Sequence, residues 1–278
     1  MSLKAADASS EDILRKAFDL GINYFDTADL YEKGENEKLI GRVFNANRKE
    51  IVLATKAGNQ WRSDGSGWDW NPKKEYILQC AEESLRRLRT DYIDLFQLHG
   101  GTMEDPIEET IEAFELLVEQ GKIRCYGISS IRPNVIREWA NRSNIVSVMT
   151  QYSLLDRRPE EFTLPFLQEN GIGVVTRGSV AQGLLVDKTP GPYLDYDTNA
   201  IAEMAEGVKH VSRKDRTAAQ TAINYVLQNK VVVAAVVGIR TMKQLEDAVQ
   251  TIEAKPLEFQ EIEFLQNILP PNTYREHR

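Results

Sequence analysis

The sequence predicts an α/β fold, a (β/α)8 barrel in which each parallel strand is followed by a helix, on three observations. Short β-branched runs alternate with longer segments of helical period as far as residue 253. No linker or low-complexity stretch interrupts that alternation, so the 278 residues read as a single domain spanning 1–278. Polar residues (Asp26, Lys56, His99, Ser129, Gln151 and Arg177) stand at the C-terminal ends of six different strand candidates. An open doubly wound sheet gathers its chemistry at one switch point, whereas six strands feeding one site imply a ring. No GxGxxG follows any strand, which removes the support for a dinucleotide fold of that kind.

The elements follow in order. "SSEDILRKAFDLG" opens on serines suited to a helix cap and stops at Gly21. "INYFD" near 22, "IVLATK" near 51 and "YIDLFQLH" near 92 read as strands. "DPIEETIEAFELLVEQG" is a helix with proline at its start and Gly121 at its end, leading into the strand "RCYGIS" near 124. "RPNVIREWANRS", again with proline in its first turn, leads into "VSVMTQ" near 147 and then "GVVTR" near 173. A long excursion, "GSVAQGLLVDKTPGPYLDYDTN", precedes two more helical segments, the last strand "VVVAAVVG" near 231 and a closing helix "PLEFQEIEFLQNIL". That makes seven strands where a closed barrel of this type needs eight. The first barrel strand is therefore expected to be missing before "MSL", which would leave unpaired edges on the strand carrying Asp26 and on the last strand.

Composition excludes several function classes. Hydrophobic residues make up 42% of the chain, enough for a sizeable core, and the net charge is −8 with no basic cluster beyond Arg86–Arg89. No nucleic-acid partner is expected. There is no run of eighteen apolar residues, and "MSLKAADASS" lacks a signal peptide's basic and apolar regions, so a soluble, cytoplasmic protein without membrane attachment is expected. Cys80 and Cys125 lack metal-ligand spacing and fall in a helix and a strand, as reduced structural thiols do. Of three histidines two lie in the last 70 residues, which argues against a metal-dependent barrel hydrolase, and no metal is expected.

The stretch "NYFDTADLYEKGENE" runs from an apolar strand straight into Asp26 and, five residues on, Tyr31. Singly, a strand-end Asp caps a loop, a strand-end Lys snorkels, and a lone His is satisfied in a core. If Asp26, Lys56 and His99 converge with Tyr31 at a barrel mouth, however, a phenol sits beside an ammonium and an imidazole, which favours the phenolate and makes the group usable as a proton donor near neutral pH. Asp26 then holds Lys56 charged and in place.

Here the chain resembles the aldo-keto reductases. "LGINYFDTADLYEKGENEKLIG" is similar to the first signature of that family, with Asp26 and Tyr31 at catalytic positions; "IVLATKAG" is similar to its lysine motif, placing Lys56, and "DYIDLFQLHG" to its histidine motif, placing His99. "GISS" resembles the segment whose serine holds the nicotinamide amide, at Ser129 with Ser130 beside it, and "TQYSLLDR" the one whose glutamine does the same, at Gln151. "VVTRGSVAQGLL" is similar to the loop over the cofactor pyrophosphate, giving Arg177, Gly178, Ser179, Val180 and Gln182. "VVGIRTMKQLEDA" resembles the segment around the adenosine end, giving Gly238, Ile239, Arg240, Thr241, Gln244 and Asp247. The resemblance implies an NADPH-dependent reductase of small carbonyl substrates, of the NADP+ alcohol dehydrogenase type, in the bacterial branch with sugar and general stress reductases. Three positions depart from the family pattern: Ser130 replaces an asparagine, Arg177 replaces an aromatic residue that stacks on the nicotinamide, and Ala248 replaces the asparagine that reads adenine. Potassium-channel β subunits resemble the same family, so a redox-sensing or interaction protein with vestigial turnover stays open at this stage; the complete tetrad counts against it.

Within that reading Tyr31 is the general acid, His99 orients the carbonyl oxygen, and Lys56 with Asp26 sets the phenol's acidity. Substrate contacts are expected from "GNQWRSDGSGWDWN", where Trp61, Trp68 and Trp70 cluster and would favour flat or apolar aldehydes. Arg240 and Thr241, with Lys243 following, suit a 2′-phosphate and hence NADPH over NADH.

Overall fold

The structure is a computed structural model describing residues 3–7, 9–213 and 215–278. By internal contact the chain divides into two compact units, Met1–Val148 and Met149–Arg278. All seven expected strands are present.

In the first unit the helix α1 (Ser9–Asp19) precedes the strand β1 (Tyr24–Asp26), and α2 (Glu35–Phe44) leads to β2 (Val52–Ala57). A short antiparallel hairpin follows, β3 (Asn59–Trp61) with β4 (Trp68–Trp70), and then α3 (Lys74–Leu88), β5 (Ile93–Leu98), α4 (Ile107–Glu119), β6 (Ile123–Ser129) and α5 (Pro133–Arg142). The strands β1, β2, β5 and β6 pair in that order and all run parallel. Their near-continuous apolar runs suit strands covered on both faces: five of the six residues of β2 and of β5 are buried. Each helix turns one apolar stripe inward, as Ile77, Ala81, Leu85 and Leu88 do on α3. The packing of α2 on α3 is close enough to require glycine, because a Cβ on Gly41 would stand 2.5 Å from the Leu88 carbonyl.

The helix α1 does begin at Ser9, but the acceptor at its entrance is Asp7, whose Oδ1 takes the Ser9 amide (3.1 Å) and hydroxyl (2.8 Å). Residues 3–7 contain a turn and no strand; residues 1, 2 and 8 lie outside the described residues. Asn36 donates to the Leu3 carbonyl (3.0 Å) and Ser10 to that of Lys4 (2.8 Å), which ties this segment to α1 and α2. Among the described residues β1 is paired on one side only, with β2.

The boundary between units falls within β7 (Ser147–Gln151). The second unit continues with α6 (Thr163–Glu169), β8 (Gly173–Arg177), α7 (Thr198–Val211), α8 (Ala218–Leu227), β9 (Val232–Val236), α9 (Met242–Val249) and α10 (Phe259–Ile268). Strand β9 runs parallel to β8 and pairs with it alone among the described residues; Val233 is 66% exposed and Ala234, Ala235 and Val236 are half-buried, the open edge expected for the last strand. The tail is fixed within this unit: Asn272 accepts the Arg157 amide (2.9 Å), and Tyr274 is buried.

Candidate active site

The site begins with the turn from β1 into α2. Asp26 is the last residue of β1, and beyond it the ladder to β2 continues, Thr27 donating to the Ala54 carbonyl (2.9 Å) and Asp29 to that of Lys56 (3.1 Å). The Tyr31 amide then closes a turn on Ala28 (3.1 Å). After Tyr31 the backbone enters the left-handed region at two consecutive non-glycine residues, Glu32 (φ 51°) and Lys33 (φ 55°), before Gly34 at φ 85°. Each such residue costs roughly 1 to 2 kcal/mol, so the surroundings must hold the turn in place. They do so through α2, where Asn36 accepts the Thr27 hydroxyl (2.8 Å) and the fully buried Glu37 accepts Thr55 Oγ1 and Arg87 Nε, both at 2.6 Å. Asp29 is buried beside Glu37, and burial first, then that carboxylate, pushes its carboxyl up to about 7.

Lys56 extends from β2 into the interior, 1% exposed, and Nζ donates to Asp26 Oδ1 at 2.5 Å and to the Thr27 carbonyl at 2.8 Å. Burial pushes the Asp26 carboxyl above the ordinary range, and the Lys56 ammonium pulls it back. The same ammonium lies 5.3 Å from the centre of the Tyr31 ring. His99 follows β5, its amide bonded to the Ala57 carbonyl (2.8 Å), and its ring meets that of Tyr31 edge to face at 5.8 Å and 82°. Asp26, Tyr31, Lys56 and His99, from three strand ends and a loop, are thus brought together in the first unit.

The three tryptophans divide. The register of the β3–β4 hairpin sets Trp61 opposite Trp68, and both line a cleft of about 540 Å³ with Leu30, Tyr31, Glu32 and Lys33. Trp70 instead lies against backbone, where a Cβ on Gly58 would stand 2.7 Å from its ring and one on Gly100 3.1 Å from it. Its Nε1 donates to Asp105 (2.8 Å), which also accepts the Thr102 amide (2.7 Å). Trp70 therefore braces the segments that follow Lys56 and His99.

Of the residues expected to hold a cofactor, Ser129 and Ser130 close β6 in the first unit, both buried, with the Ser130 hydroxyl accepting the Arg132 amide (3.2 Å). The others are in the second unit. There Gln151 is held from both ends of its amide: Nε2 donates to Asp156 (2.8 Å) and to the Tyr193 hydroxyl (3.0 Å), and Oε1 accepts Arg177 Nη1 (2.8 Å). The loop after β8 has left-handed backbone at Gly178, Ala181 and Gln182, flanking the buried Ser179 and the half-buried Val180. Alternation of this kind turns successive amides toward one side, a form suited to phosphate. Gly238 and Ile239 follow β9; Thr241 caps α9 by accepting the Gln244 amide (3.2 Å), while Gln244 Oε1 accepts that of Arg240 (2.9 Å). Asp247 is engaged elsewhere, its carboxylate taking the Thr217 hydroxyl (2.8 Å) and the Gln220 amide (3.0 Å) at the entrance of α8.

The sequence of residues 2–270 matches the profile of the Aldo/keto reductase family. The chain belongs to that family. It is 46% identical to the uncharacterized oxidoreductase YqkF of Bacillus subtilis (strain 168), over 100% of this chain and 93% of that protein. Among aldo-keto reductases of known structure it is similar to AKR11C1 from Bacillus halodurans in its holo form, with 47% identity and a TM-score of 0.94 over 100% of this chain and 92% of the other. An aldo/keto reductase from Klebsiella pneumoniae, solved in complex with NADP and acetate, shares 25% identity at a TM-score of 0.77, over 96% and 87% of the two chains. The expected (β/α)8 fold class is that of the family.

Several groups that shape this aldo-keto reductase site escaped the sequence reading, although Glu37 could have been found. It falls in phase with Ile40, Gly41 and Phe44 on the buried stripe of α2, and a carboxylate on an apolar stripe calls for a buried partner, here Arg87.

Proposed function

We propose that this aldo-keto reductase reduces aldehydes and ketones to alcohols with NADPH, Tyr31 serving as the general acid. The observation that carries the reading is the constellation itself: a phenol beside a buried ammonium at 5.3 Å and an imidazole at 5.8 Å, with a carboxylate clamping the ammonium. NADPH, when bound, supplies the hydride. Tyr31 gives its proton to the carbonyl oxygen as negative charge develops there, and the Lys56 ammonium stabilises the charge left on the phenol oxygen. His99 donates to the same carbonyl oxygen and turns it toward Tyr31. Asp26 and the Thr27 carbonyl hold the Lys56 ammonium in place, so this stabilisation is set before reaction begins.

The residues proposed to hold the cofactor are Ser129, Ser130, Gln151, Arg177, Gly178, Ser179, Val180, Gln182, Gly238, Ile239, Arg240, Thr241 and Gln244. The anchored Gln151 amide and the left-handed loop after β8 fit a carboxamide and a pyrophosphate respectively. Asp247, engaged at α8, is better read as a structural residue. Trp61 and Trp68 would receive the apolar body of the carbonyl compound. Cys80 and Cys125 are free thiols, in keeping with the reducing, cytoplasmic setting proposed; no helix among the described residues is long and apolar enough to cross a membrane. Incubation with NADPH and a panel of aromatic and aliphatic aldehydes tests the reading: consumption of NADPH that a chelator leaves unchanged supports it, and no consumption with any aldehyde refutes it.

A further inference from the structure

The cleft beside Tyr31 holds two donors without acceptors. Lys33 has no carboxylate partner among the described residues, and its Nζ lies 5.0 Å from the centre of the Trp61 ring. Trp61 Nε1 is itself buried and without a hydrogen-bond partner among the described residues. The other charges around the cleft are already engaged: Glu32 accepts the Ala5 amide (2.8 Å), and Arg62 is paired with Asp69 at 2.6 Å. The position of Lys33 is also a costly one. Its left-handed backbone, with that of Glu32, turns the side chain toward the β3–β4 hairpin, where Nζ lies 3.2 Å from the place a Cβ on Gly65 would occupy. Backbone strain of this kind persists where the surroundings enforce it, and it clusters at ligand sites.

An ammonium and an unsatisfied indole N–H on residues that line a cleft with Tyr31 and Trp68 have a common complement, an acceptor group carrying negative charge. We infer that Lys33 and Trp61 Nε1 bind an anionic group, a carboxylate or a phosphate, on the carbonyl substrate, making the preferred substrates aldehydes with an anionic substituent on an apolar body. The inference rests on the carbonyl-reductase reading and adds the substrate class to it. Trp61 and Trp68 contact the apolar body, and Lys33 sets specificity for its anionic substituent. Solvent screens an exposed lysine, so the effect is expected mainly in KM and is expected to weaken as salt is raised.

The test compares 4-carboxybenzaldehyde with its uncharged methyl ester, methyl 4-formylbenzoate, in the parent protein and in Lys33→Met, which removes the charge and retains the reach. In the parent, kcat/KM for the acid should exceed that for the ester, and the ratio of the two should fall about tenfold in Lys33→Met, through the KM of the acid; this corresponds to about 1.4 kcal/mol. Binding of the acid, followed by quenching of tryptophan fluorescence without turnover, should weaken with added salt and in the same variant. An unchanged acid-to-ester ratio in Lys33→Met, with both compounds reduced, overturns the inference and leaves the carbonyl-reductase reading intact. Failure of both compounds to oxidise NADPH would count against that reading instead; the anion site then stands or falls on whether Lys33→Met weakens the binding of the acid relative to the ester.

Discussion

Replacing Lys56 with methionine separates what the buried ion pair contributes to stability from what it contributes to catalysis. The substitution removes two short hydrogen bonds, to Asp26 (2.5 Å) and to the Thr27 carbonyl (2.8 Å), at a site where the two side chains are 1% and 7% exposed. A carboxylate left alone at such a site costs about 3 to 5 kcal/mol. The cost depends on pH with a definite sign. Asp26 titrates above its ordinary 3.8 in the folded chain because burial outweighs Lys56, and without Lys56 it rises further. Between the unfolded and folded values the folded state holds a proton that the unfolded state lacks, so the variant loses stability as pH rises through that window. Urea unfolding should therefore show a larger deficit at pH 8 than at pH 5, rising from about 1 to 2 kcal/mol for the lost hydrogen bonds at the acid end of that window toward about 3 to 5 kcal/mol at its alkaline end. The double variant Asp26→Asn, Lys56→Met should recover about 2 kcal/mol of the loss at pH 8 while staying inactive. Equal deficits at the two pH values, or single effects that add to within about 0.5 kcal/mol in the double variant, would refute the reasoning.

Three further outcomes follow from the geometry. Arg240→Ala should weaken NADPH binding by roughly 1.5 to 3 kcal/mol and leave NADH nearly untouched, as isothermal titration with both cofactors would show, because only NADPH offers a 2′-phosphate to a guanidinium at the entrance of a helix. Asp29→Asn should flatten the pH dependence of stability: with a folded value of about 7 against an ordinary 3.8, the parent loses up to about 4 kcal/mol as pH rises across that interval, a loss the amide cannot show in urea titrations at pH 4.5 and 8. Gly41→Ala should lower the melting temperature through a cost of about 1 to 3 kcal/mol, since the added methyl meets the Leu88 carbonyl at 2.5 Å and backbone gives way less easily than a side chain.

The strands and the tetrad were legible because each was written locally. β-branched runs ending in Asp26, Lys56 and His99 carry both the period and the chemistry in a few adjacent residues, and the parallel pairing of β1, β2 and β5 brings them together. The division of the tryptophans was not legible. Trp68 and Trp70 are two apart and alternation alone would assign them one role, whereas the hairpin register sends Trp68 to Trp61 and leaves Trp70 against Gly58 and Gly100. The turn at Glu32 and Lys33 was hidden for a related reason, because left-handed backbone is ordinarily signalled by glycine or asparagine, and here tertiary contacts impose it on residues that give no such sign. The engagement of Asp247 with Thr217 and Gln220 was not legible either, because these partners lie some thirty residues away at the cap of another helix.

The role of Tyr31 is tested most directly by a single turnover. Protein saturated with NADPH is mixed rapidly with 4-nitrobenzaldehyde, and the loss of bound NADPH is followed for the parent and for Tyr31→Phe, with NADPH affinity measured separately by fluorescence. The phenylalanine variant should bind NADPH nearly as the parent does and transfer hydride about two to four powers of ten more slowly, the span for loss of a positioned general acid. Hydride transfer at the parental rate in Tyr31→Phe would contradict the assignment of the acid and, with it, the reading of the tetrad.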